Sequence, residues 1–76
     1  MPWIKEGNVM VHYKTLVDAR RHCVGAGVEK PIYATKGGKK EMGKVVKKGS
    51  SYYWQAYSKS YGTTQVAIKK DGTLYR

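Results

Sequence analysis

The sequence predicts an α+β fold: a small antiparallel sheet of four to six short strands, with one helix near the N-terminus packed on one face. Three observations predict it. Helical periodicity occurs once, at residues 15–24. Period-two alternation occurs at 9–14 and again at 51–58. Turn residues separate the apolar runs, at Gly7-Asn8, Gly49-Ser50 and Asp71-Gly72. A small curled barrel is the alternative closure for the same strands.

Taken in order, Trp3-Ile4-Lys5 forms a short strand and Glu6-Gly7-Asn8 a turn. From Val9 to Lys14, Val9, Val11 and Tyr13 share one face, and Met10, His12 and Lys14 the other. Thr15 caps the helix, and Asp18 puts an acid at the positive end of its dipole. Leu16, Ala19 and Cys23 form its inward face, flanked by Val17 and Val24. Gly25-Ala26-Gly27 ends it. Pro31 opens an extended segment through Ile32-Tyr33-Ala34-Thr35, and Gly37 to Glu41 is a charged loop with nothing to bury.

A strand runs from Gly43 to Lys48, and the best strand from Ser51 to Ser58. Tyr52, Trp54 and Ala56 share one face of that strand; Tyr53, Gln55 and Tyr57 share the other. A helix can approach over small Ala56, so the Tyr53 face is the open one. Ser60-Tyr61-Gly62 is a loop, and Thr64 to Lys69 a strand with Val66 and Ile68 inward. A three-residue turn with Gly72 in the left-handed region then pairs Lys69 with Thr73 and Ile68 with Leu74, leading into a last strand, Thr73 to Arg76.

Charge is the strongest global fact. Fifteen Lys and Arg oppose five Asp and Glu, a net charge of +10, in 76 residues that form one domain. Only Arg20, Arg21 and Arg76 are arginines, so bidentate reading of guanine is scarce and point-charge contact with phosphate dominates. There are seven Tyr and two Trp, and seven Tyr are more than so small a core needs. The predicted interface comprises Lys36, Lys39, Lys40, Lys44, Lys47, Lys48, Lys59, Lys69 and Lys70 on phosphate, with Tyr53 and Tyr57 stacking on bases.

The expected function is therefore nucleic-acid binding with little sequence preference, to DNA or RNA, in one strand or two. The alternative is a non-catalytic accessory or inhibitor protein, of phage or mobile-element character, docking on an acidic protein surface. A sheet edge offers a route to a homodimer. No enzyme, metal or cofactor signature is present: the five acids are scattered, and His12, His22 and Cys23 lack ligand spacing. Gly37-Gly38 before Lys39-Lys40 lacks the wider glycine spacing of a phosphate-binding P-loop. The lone Cys23 and the lack of an apolar run of membrane length lead to the expectation of a soluble, complete, cytoplasmic protein that leaves membranes alone.

Overall fold

The longest strand, β4 (Glu41–Lys48), lies inside a six-stranded antiparallel sheet. The computed structural model describes residues 2–61 and 65–75, without the side chain of Lys59. In chain order the elements are β1 (Trp3–Glu6), β2 (Val9–His12), α1 (Leu16–Ala26), β3 (Pro31–Tyr33), β4, β5 (Ser51–Ala56), a short 3-10 turn (Lys59–Tyr61) and β6 (Val66–Ala67). The strand order across the sheet is β2-β1-β3-β4-β5-β6. Every neighbour in this order is a chain neighbour except β1 and β3. Between them the chain makes the β1–β2 hairpin, crosses in α1 and returns to the other edge of β1.

Cross-strand partners share a face, so the register sorts the side chains. Val45 pairs with Trp54, Gly43 with Ala56 and with Ile32, and Ile4 with Val11. This face carries the core: Ile4, Ile32, Val45 and Trp54 are wholly buried beside Ala19 and Cys23 of α1. Each large aliphatic group buried there contributes about 1.5–3 kcal/mol. An eleven-residue helix is marginal alone, and this packing is what holds it. Register shifts between Ile32 and Tyr33, which face Gly43 and Glu41, so Met42 has no partner on β3 and is buried next to Gly43. Gly43 is needed for close approach: a Cβ there would stand 2.6 Å from the Trp54 ring. The indole Nε1 donates to the Tyr61 carbonyl at 2.9 Å, which ties the 3-10 turn to the core.

The helix begins as expected, with Thr15 Oγ1 accepting from the Asp18 amide. Its left-handed C-cap is Gly27, so Gly25 and Ala26 belong to the last turn. The C-terminal turn also has the expected register: the Lys69 amide donates to Thr73 and Ile68 bridges to Leu74. The last strand contracts to that bridge and a hydrogen bond from the Tyr75 amide to Ala67. The strand expected over 64–69 contracts to β6, because Gln65 takes a positive φ of 58° and breaks the extended run. Gly62, Thr64 and Arg76, which figured in the expected loop and strands, lie outside the described residues.

One helix residue departs from the expected inward face. Arg20 is 6% exposed. Its Nε donates to the Gly72 carbonyl at 2.9 Å, and its guanidinium stands 5.2 Å from the centre of the Trp54 ring system. Leu16, Ala19, Arg20 and Cys23 follow the i, i+3, i+4, i+7 spacing of an apolar stripe, so Arg20 fills a core slot. Burial lowers its pKa from the ordinary guanidinium value.

Candidate nucleic-acid interface

The face of the sheet away from α1 is built by the residues alternate to the core. On β4 these are Lys44, Val46 and Lys48, set against Gln55, Tyr53 and Ser51 of β5. On β3 they are Pro31 and Tyr33. Trp3 pairs with both Tyr33 and His12, and its ring centre is 4.9 Å from that of His12. Lys5 and Met10 pair beside them. The Lys48 ammonium is 6.0 Å from the centre of the Tyr53 ring.

Two aromatic groups thus lie toward opposite ends of β4. Tyr33 faces Glu41, and Tyr53 faces Val46. Five residues of strand separate those positions, about 16 Å. Lys44 lies between them and Lys48 beyond the second. The loop bearing Lys36, Lys39 and Lys40 folds toward the first group: Gly38 comes close to Met10 and the Tyr33 ring, and a small hollow of about 220 Å³ lies between Lys5, Met10, Tyr33, Gly37 and Gly38.

Strand alternation divides the predicted lysines. Lys44 and Lys48 join Tyr53 on the open face. Lys36, Lys39 and Lys40 belong to its rim loop. Lys47 pairs with Tyr52 on the helix side, 5.7 Å from that ring's centre. Lys69 and Lys70 stand in the C-terminal turn, which docks on α1 where Arg20 and Arg21 donate to the carbonyls of Gly72 and Asp71. Tyr57 lies just past β5 and is 51% exposed. The side chain of Lys59 lies outside the described residues. Sequence reading missed Trp3, His12, Tyr33 and Lys5 as members of this face. The alternation Trp3-Ile4-Lys5 carried the signal, once Ile4 is taken as inward.

The acids are distributed differently from the lysines. Glu6 faces α1, with Oε2 3.0 Å from His22 Nε2 and Oε1 accepting from Lys30 at 3.2 Å. The hydrogen bond from Lys30, helped by His22, holds its carboxyl below the usual range. Asp18 pairs with Arg21 on the helix. Glu29 accepts from the Lys47 amide. Asp71 accepts from the hydroxyl and amide of Thr73, which lower its pKa. Glu41, opposite Tyr33, is the acid on the open side.

Cys23 is poorly placed to act as a nucleophile. Burial pushes the Cys23 thiol up to about 11, so the thiolate is scarce at neutral pH. Among the described residues no group of three His, Cys, Asp or Glu could hold a metal ion, and no helix is long and apolar enough to cross a membrane. No protein-family model, curated protein or solved structure matches the chain.

Proposed function

We propose that the helix-free face binds single-stranded nucleic acid with little sequence preference. One observation carries the reading: the β4–β5 register puts Lys44, Lys48 and Tyr53 on a face without a covering helix, in line with Tyr33 and Trp3. Lys44 and Lys48 contact phosphate, and Lys36, Lys39 and Lys40 add charge from the rim. Tyr53, Tyr33 and Trp3 stack on bases, which needs unpaired bases and tolerates any of them. At about 3.4 Å per stacked nucleotide, the separation of the two groups along β4 alone corresponds to roughly five nucleotides. The placement of Glu6, Asp18 and Asp71 toward α1 favours the approach of a polyanion from the open side. A cytoplasmic setting, where a lone thiol stays reduced, suits this reading.

Fluorescence anisotropy with labelled single and double strands of DNA and RNA, at several salt concentrations, tests it. Single strands should bind more tightly than duplexes, and affinity should fall steeply as salt rises. Changing both Lys44→Gln and Lys48→Gln should reduce the log–log slope by about 1.4, at about 0.7 per phosphate contact on a single strand. Binding only at very low salt, with heparin equal to every oligonucleotide, would overturn the reading and turn attention to an acidic protein surface.

A further inference from the structure

The lysines that the register removes from the open face surround a second concavity. A groove of about 520 Å³ runs between the last turn of α1, the β4–β5 turn and the segment after β6. Its walls include Tyr52, Tyr75, Ser50, Ser51 and Lys70, and Val24 and Ile68 supply apolar lining. Two further ammonium groups flank the rings: Lys47 is 5.7 Å from the centre of Tyr52, and Lys69 is 5.3 Å from that of Tyr75. Among the described residues that line it, none is acidic. The end of α1 nearby is partly neutralised, because the carbonyls of Cys23 and Val24 accept from the amides of Val28 and Gly27.

This combination selects its occupant. An inorganic anion would satisfy the ammonium groups and leave two rings and an apolar lining in water. A hydrocarbon would do the reverse. The volume falls within the range of small-molecule sites, about 300–1,000 Å³. We infer that the groove binds a flat heteroaromatic ring carrying a phosphate, the chemistry of a nucleoside monophosphate. The rings of Tyr52 and Tyr75 take the base. Lys70, with Lys47 or Lys69, takes the phosphate, and the hydroxyl of Ser50 serves the sugar. The same unit occurs free or as the phosphorylated end of a strand. The inference stands apart from the open-face reading, because Lys44, Lys48 and Tyr53 are on the other side of the sheet.

The test is an NMR titration of the isotope-labelled protein with adenosine monophosphate, alongside adenosine, ribose 5-phosphate and inorganic phosphate. The amide signals of Ser50, Ser51, Ala67 and Lys70 should move together, and each of the other three compounds should bind at least about tenfold more weakly. Tyr75→Ala should weaken binding by roughly five- to a hundredfold. Lys70→Gln should weaken it by about tenfold. Both residues are exposed, so the variants keep the fold. Lys14→Gln, an exposed position between β2 and α1, should leave nucleotide affinity unchanged. Shifts confined to the open face, unchanged affinity in both groove variants, or inorganic phosphate binding as well as the nucleotide would each overturn the assignment. A 5′-phosphorylated oligonucleotide that displaces the nucleotide identifies a strand end as the source; one that leaves it bound identifies the free nucleotide.

Discussion

Trp54 and Tyr53 are chain neighbours, yet they serve opposite faces of one sheet. Trp54 is wholly buried, its Nε1 bound to a carbonyl and its ring beside a guanidinium. Tyr53 is half-buried, with a lysine over its ring and no helix above it. The same division separates Val45 from Val46. At the centre of the covered face, the Trp54 ring and the Arg20 charge are consumed by other parts of the chain. On the open face, rings and charges remain accessible. Stability and binding should therefore be separable by mutation, although the two sets of residues alternate along the same strands.

The largest expected effect is on the covered face. Gly72 has a φ of 92°, and a Cβ there would run into the Val17 carbonyl oxygen. Gly72→Ala should cost about 3 kcal/mol or more, or abolish folding, as read by urea denaturation. Next, Arg20→Met should cost about 2–4 kcal/mol, because it leaves the buried Gly72 carbonyl without its donor and removes a group packed on Trp54. Nucleic-acid affinity measured on the folded fraction should not change. If Arg20→Met proved neutral for stability, the contrast between the faces would fail at its strongest point.

The open face should give the reverse result. Tyr53→Ala should lose about 1–3 kcal/mol of single-strand binding in anisotropy titrations, with a smaller change in stability. A variant that lost stability without losing affinity would show Tyr53 to be a sheet partner only.

Two smaller effects concern protons. The Cys23 thiol has its pKa raised from 9 to about 11, so the folded state favours the protonated form. Its contribution is present below pH 9 and lost as pH rises toward 11. Cys23→Ala should lessen the alkaline fall in stability, and at pH 8 a thiol reagent should label the native protein far more slowly than the unfolded chain. Glu6 is shifted the other way, below 4.5. Its contribution is present above pH 4.5 and lost as pH falls through the lower folded value. Glu6→Gln should flatten the acid limb slightly, since the carboxylate is partly exposed and screened.

Much of this contrast was legible in the sequence. The alternation of Ser51 to Ala56, which puts small Ala56 on the same face as Trp54, identified which face of β5 is covered. The register of the C-terminal turn followed from matching Ile68 with Leu74. Alternation could also have separated Lys47 from Lys44 and Lys48, but charge run alone treats them as one group. The placement of β3 beside β1 was not legible, because it depends on pairing at a distance rather than on local pattern. That pairing brings Trp3 and His12 next to Tyr33. Arg20 did not figure in the expected inward face for a related reason: a charged residue in an apolar slot is costly until a carbonyl and a ring from distant segments arrive to meet it.

The contact between Arg20 and Gly72 spans 52 positions of sequence. A chain that emerges N-terminus first cannot close it until Gly72 has been made. The helix and the first strands can associate earlier, but the guanidinium must then remain hydrated, and the space beside Trp54 stays open to water. The core is therefore sealed late, by a segment that brings Ile68 and Leu74 to it. Such a latch delays commitment to the native state and makes closure depend on a long loop. It also implies an order of loosening: when the turn at Gly72 lifts away, water reaches the indole before the sheet itself has parted.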